Sequence, residues 1–173
     1  KEYPGVAALD KVNFSVRKGE IRALLGENGA GKSTLIKILA GAERPTSGEI
    51  LIDGHRIAHM SPALSEQFGI ACVYQNLILA EHMTVAENVW MGAFPSRFGF
   101  VSRKELVRKT GELLAHIGYA DVIDPMERVS NLNASQQGMV AIVRAISREA
   151  RVVIFDEPTA VLTPQETDEL LGI

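Results

Sequence analysis

Apolar and polar residues alternate at Val12, Asn13, Phe14, Ser15 and Val16, the period at which one face of a strand meets a core. Ile21, Ala23, Leu24 and Leu25 form a mostly apolar run that predicts a second strand. Leu35, Ile36, Ile38 and Leu39 then recur at helical spacing as far as Gly41, so the predicted order is strand, glycine-rich loop, helix. Pro45-Thr46-Ser47-Gly48 reads as a turn, residues 49–52 as a short strand and Asp53-Gly54 as a hairpin turn, together a small antiparallel element. Ser61 followed by Pro62 opens a short helix that Gly69 closes, and residues 70–74 form a strand delivering Gln75 at its end. Residues 84 to about 118 read as helical, with Ser102 and Glu105 as a capping box and Leu106, Leu113, Leu114 and Ile117 on one face. Met139, Ile142, Val143 and Ile146 mark a further helix, and Val152-Val153-Ile154-Phe155 the strand after it.

A chain of 173 residues suits one domain better than two, and no internal repeat or linker interrupts it. With 46% hydrophobic and 23% charged residues the composition is that of a soluble globular protein. A net charge of -3 gives no support for a nucleic-acid partner. The apolar runs fall well short of the roughly 18 residues of a membrane-spanning helix, so a membrane role would run through a partner. Cys72 is the single cysteine, which excludes an internal disulfide, and its apolar surroundings predict a buried core thiol. Lys1-Glu2-Tyr3-Pro4 lacks the apolar segment of a signal peptide, which points to the cytoplasm. The missing initiator Met, and an end at Ile173 inside a predicted helix, lead us to expect a fragment of a longer protein.

The run Gly26-Glu27-Asn28-Gly29-Ala30-Gly31-Lys32-Ser33-Thr34 is a complete phosphate-binding loop. Such a loop needs glycines so that successive backbone N–H groups can turn inward around anionic oxygens. Gly26, Asn28, Gly29, Ala30, Gly31, Lys32, Ser33 and Thr34 are the candidate nucleotide-binding residues. Lys32 would reach the terminal phosphates, Ser33 would ligate Mg²⁺ through its hydroxyl, and the following helix N-terminus would favour the anion. The strand at residues 152–155 ends in Asp156-Glu157-Pro158-Thr159, the place where an acid that organises Mg²⁺ is presented. Asp156 would hold the metal through water, and Glu157 would polarise an attacking water. Alone, an acid pair after a strand reads as a helix cap or surface turn; beside the glycine loop the catalytic reading prevails. No Asn-Lys-x-Asp element is present, which argues against a GTPase.

The glycine loop, Val73-Tyr74-Gln75, Leu132-Asn133-Ala134-Ser135-Gln136-Gln137 and Asp156-Glu157-Pro158-Thr159 occur in the order of the ATP-binding-cassette ATPases, which the chain resembles over nearly its whole length. The resemblance implies an α/β fold: a P-loop NTPase core with a parallel sheet, a small antiparallel β element and an α-helical subdomain at about residues 84–145. It implies a single cassette domain over residues 1–173, truncated at its C-terminus. The loop wording, Met83-Thr84-Val85-Ala86-Glu87-Asn88-Val89 and Glu157-Pro158-Thr159-Ala160-Val161-Leu162-Thr163 look like the first of the two cassettes in monosaccharide importers of the ribose, galactose and xylose type.

Carried over residue by residue, Tyr3 falls where such cassettes stack a ring on adenine, and Gln75 where a glutamine touches Mg²⁺ and the attacking water and couples to the membrane partner. The family signature, Leu-Ser-Gly-Gly-Gln, contacts the γ-phosphate of ATP held by the opposing cassette. Here Asn133 replaces the serine, Ala134 and Ser135 replace both glycines, and Gln136 is kept, so the composite site using this segment is expected to be the weaker of two. In place of the family's aspartate stands Thr163, which with Pro164 and Glu166 makes a capping box. The family's switch histidine would follow Asp156; His55, His59, His82 and His116 all precede it and read as solvated surface residues. The implied protein is the ATP-binding and ATP-hydrolysing subunit of a sugar importer at the cytoplasmic face of the membrane, with the isolated piece weakly active at most. Its implied partners are a second cassette, permease subunits and, indirectly, a periplasmic or extracellular sugar-binding protein. The alternative is a soluble cassette ATPase of DNA repair or translation, for which the long charged arms are missing.

Overall fold

The computed structural model describes residues 1–74, 77–97 and 100–156. The chain divides into two compact units, Lys1–Ile70 and Ala71–Ile173.

In the first unit, β1 (Glu2–Tyr3) and β2 (Val6–Ala7) pair antiparallel, Glu2 opposite Ala7 and Tyr3 opposite Val6. α1 (Lys32–Leu39) buries Ile36 and Ile38, the apolar face that its spacing predicts. It ends at Gly41, whose φ of 75° and close approach to Ser61 both exclude a side chain: a Cβ there would lie 2.2 Å from the Ser61 carbonyl carbon. β3 (Ile50–Ile52) and β4 (His55–Ile57) form the expected hairpin. Asp53 at φ 51° and Gly54 at φ 77° turn it with the positive pair of angles that matches strand twist. α2 (Pro62–Gln67) opens as predicted, with the Ser61 side chain accepting from Leu64 N and proline in the first turn. Ser65 Oγ donates to Leu39 O at 3.0 Å, which ties α2 to the end of α1.

In the second unit, β5 (Ile70–Val73, beginning one residue before the division) pairs with β8 (Val152–Phe155). Asp156 N donates to Val73 O at 2.9 Å, so both strands bring their C-terminal ends to one edge, as a parallel pair does. Against this pair packs a helical layer of α3 (Val85–Trp90), α4 (Arg103–His116) and α5 (Ala134–Ile146). Val85, Val89, Leu114, Val129, Met139 and Val143 are fully enclosed at its centre. Thr84 and Glu87 make a reciprocal capping box on α3, while Ser102 caps α4 by accepting from Glu105 N. The Thr84 N–H, followed by its hydroxyl, holds the Glu87 carboxyl below the usual carboxylate range. Among the described residues no helix is long and apolar enough to cross a membrane.

Three expectations change. Residues 12–16 and 21–25 lie outside every strand among the described residues, with Ile21 at 76% and Leu25 at 88% exposure. Alternation supplies a strand with faces, but a ladder exists only where a second backbone meets its N–H and C=O groups. A small antiparallel hairpin, β6 (Ser96–Arg97) with β7 (Phe100–Val101), interrupts the stretch read as continuous helix between α3 and α4. Cys72 is half-buried rather than enclosed; burial first, then the Asp156 carboxylate, push its thiol pKa up against a hydrogen bond with Tyr74. His55, His59, His82 and His116 are exposed, as expected.

Candidate phosphate-binding site

The glycine loop is built where the chain turns into α1. Ala30 N donates to Glu27 O at 3.1 Å, closing a tight turn, and Gly29 (φ 85°) and Gly31 (φ 89°) follow with left-handed backbones. Gly31 is the N-cap of α1 and has no side chain to satisfy the helix's first N–H groups. Those groups are thereby left for an anion, in a helix whose dipole places partial positive charge at the same end. A Cβ on Gly31 would lie 2.3 Å from Ala8 O, so the segment leaving the β1–β2 hairpin rests directly on the loop. A Cβ on Gly26 would meet that of Ala30 at 3.0 Å, which would crowd the loop's opening.

Lys32 Nζ donates to Gly26 O at 2.6 Å and to Glu27 O at 3.0 Å, so the ammonium is folded over the loop. These acceptors are neutral carbonyls, and bonds from an ammonium to phosphate oxygens are the stronger, charge-assisted kind. An oxyanion entering the loop would therefore meet a cation already at its mouth. Ser33 is exposed in the first turn of α1, with its hydroxyl available as a metal ligand. The donor set fits a polyphosphate: oriented backbone N–H groups, one mobile ammonium and one hydroxyl.

The structure brings Tyr3, Asn28, Thr34 and the other loop residues into the first unit, and Asp156 and the signature-like residues into the second. Tyr3 is 36% exposed on β1, with Lys1 Nζ 4.8 Å from its ring centroid. Asp156 stands immediately after β8, half-buried, with its N–H bonded to Val73 O at the end of β5. Gln75, Glu157, Thr163 and Glu166 lie outside the described residues. Among the described residues no three His, Cys, Asp or Glu side chains gather as a metal cluster.

Asn133 is the N-cap of α5, its side chain accepting from Gln136 N at 2.9 Å while Gln136 Oε1 accepts from Asn133 N at 3.0 Å. Gln136 Nε2 also donates to Val122 O at 3.3 Å, and Gln137 Nε2 to Leu132 O at 3.0 Å. The amide oxygens of Asn133 and Gln136 are thus engaged within their own turn. Ala134 is exposed and Ser135 half-exposed at the start of the helix, where each adds a Cβ that glycine would not. Sequence reasoning missed the residues that hold the Tyr3 strand. Thr46 bonds to Glu2 across 44 positions, a spacing without any local pattern to reveal it.

Residues 9–160 match the family model described as ABC transporter. The chain is 49% identical over 174 residues to the arabinose import ATP-binding protein AraG of Chromohalobacter salexigens, covering 99% of this chain and 34% of that one. It is 47% identical to the ribose import ATP-binding protein RbsA 1 of Streptomyces avermitilis, covering 100% of this chain and 33% of that one. The chain thus spans about a third of the length of these curated relatives. Among solved structures, a nucleotide-free ATP-binding cassette from an ABC transporter superposes with a TM-score of 0.82 at 25% identity, over 98% of this chain and 70% of that one. A dimeric ATP-binding cassette bound to ADP and phosphate in a post-hydrolysis state gives 0.76 at 28% identity, over 94% and 71%.

Proposed function

The chain belongs to the ABC transporter family of ATP-binding cassettes, and from that premise we propose that it binds and hydrolyses ATP to energise import of a monosaccharide. The observation that carries this reading is the uncapped N-terminus of α1 behind a glycine loop, with the Lys32 ammonium folded across it. The names of the arabinose and ribose import relatives support the sugar class. We propose that residues 1–173 are one cassette, with a helical subdomain at about residues 84–145.

In this reading the loop N–H groups and Lys32 hold the phosphates, and the Tyr3 ring receives the adenine. Ser33, Asp156 and Gln75 would hold Mg²⁺, which would supply neutralisation of the phosphate charge. Glu157 orients and deprotonates the attacking water, since phosphoryl transfer asks the protein mainly for positioning and charge neutralisation. The segment Asn133-Ala134-Ser135-Gln136 faces ATP held by a second cassette and forms the weaker composite site. Closure of two cassettes on ATP, and reopening on hydrolysis, moves permease subunits at the cytoplasmic face of the membrane. An external sugar-binding protein acts through that permease, and nucleic acid has no part. The dimeric relative bound to ADP and phosphate supports the two-cassette arrangement.

Lys32→Ala tests the central assignment. The variant should lose ATP binding by calorimetry while keeping its circular dichroism spectrum; unchanged affinity would sink the phosphate-loop reading.

A further inference from the structure

The strand that carries Tyr3 is tied down at a place remote from the glycine loop. Thr46 Oγ1 accepts from Glu2 N at 2.9 Å and donates to Glu2 O at 3.4 Å, so one hydroxyl engages both backbone groups of the residue before Tyr3. Next to it, Lys1 Nζ pairs with Glu43 at 3.0 Å, donates to Arg44 O at 2.9 Å and lies 4.8 Å from the Tyr3 ring centroid. The Lys1 ammonium first, and the Tyr3 hydroxyl after it, hold the Glu43 carboxyl below the ordinary carboxylate range. Glu43, Arg44 and Thr46 follow the C-terminal end of α1, whose cap is Ala40. At the other end of α1, Ala8 O presses on Gly31. The β1–β2 hairpin and the residue after it therefore touch both ends of one helix, spanning from its phosphate-binding N-terminus to the turn beyond its C-terminus.

We propose that Thr46 and Glu43 are positioning residues for the nucleotide base: they clamp the Tyr3 strand to the segment after α1, fixing the ring relative to the phosphate loop. This rests on the proposed ATP site, with Tyr3 as the base-stacking ring. The Lys1 ammonium backs one face of that ring and leaves the other for the base, an arrangement that cation–π attraction favours. Among the described residues the hydrogen bonds of Thr46 and the ion pair of Glu43 run to Glu2 and Lys1, away from the loop, so loosening them should weaken base recognition and spare phosphate recognition.

The test compares affinities for ATP and inorganic tripolyphosphate, each with Mg²⁺, in the full 173-residue chain by calorimetry. Thr46 is exposed, so Thr46→Ala should leave the fold intact. It should weaken ATP about 3- to 10-fold, the worth of one net hydrogen bond, with tripolyphosphate unchanged. Thr46→Ser should restore ATP affinity, and Glu43→Gln should repeat the selective loss. Equal losses for both ligands, or no loss for ATP, would overturn the clamp. Tyr3→Ala separates the premises: it should weaken ATP alone by about 5- to 100-fold. If it has no effect, the stacking premise fails; if the unaltered chain binds neither ligand, the ATP site itself fails. Either result also overturns the clamp.

Discussion

Asn88 is 0% exposed at the centre of an apolar helical layer, yet every polar atom of its amide is used. Its Oδ1 accepts from Ala80 N at 2.8 Å, and its Nδ2 donates to Ala80 O and Thr84 O, both at 3.0 Å. The side chain thereby pins the irregular stretch 80–84: Ala80 O and Thr84 O also accept from Met83 N and Asn88 N, whereas Ala80 N relies on the Asn88 amide. Truncation leaves Ala80 N unsatisfied, removes one of two bonds from each carbonyl and empties a fully enclosed site, so Asn88→Ala should cost about 2–4 kcal/mol in urea denaturation. Asn88→Asp should cost at least as much at neutral pH, because a carboxylate would face two carbonyl oxygens in place of a donor. A loss below about 0.5 kcal/mol, the range of ordinary surface substitutions, would show the loop to be held by something else. The role was invisible in sequence, where Asn88 stood only within a stretch resembling the sugar importers. A buried amide is set by what surrounds it, and its neighbours in sequence do not disclose that.

What was legible at the scale of elements depended on how local the signal is. Ser61 with Pro62 and Asp53 with Gly54 place a cap and a turn through residues within a few positions of one another, and the structure has both; of the capping box expected from Ser102 and Glu105 it has the Ser102 half. The faces of α4 and α5 were legible for the same reason: Leu106, Leu114, Met139, Ile142 and Val143 are buried at helical spacing. The strands expected at residues 12–16 and 21–25 need a remote partner, and composition alone cannot supply one. The β6–β7 pair was absorbed into a helical reading although Pro95 stands immediately before it. Asn133 shows a local signal with a functional bearing. Its reciprocal bond with Gln136 makes it an N-cap first, so Asn133→Ala should destabilise the chain by about 1 kcal/mol while Asn133→Ser stays within a few tenths. Equal melting temperatures for all three proteins would mean that the cap contributes nothing.

For the whole molecule, the issue is how much of a working site one chain can hold. The glycine loop and the Asp156 edge are both on it, as is a segment resembling the signature, but in the proposed mechanism each signature serves ATP on another cassette. Hydrolysis then requires two chains to meet, whereas binding requires one. ATP affinity should therefore be independent of protein concentration. Turnover per chain should instead rise in proportion to concentration while the chains are mostly apart, since the dimer population grows as the square of the monomer. Measuring phosphate release over a hundredfold range of chain concentration distinguishes the cases. Turnover per chain that stays flat while most of the protein sediments as monomer would place all the catalytic groups on one cassette, and the composite-site reading would be abandoned. If turnover does rise, mixing with Lys32→Ala chains makes the test sharper. These still offer Asn133 and its neighbours to a partner's nucleotide, so they should rescue turnover on unaltered chains at low concentration, up to the limit set by the substituted signature.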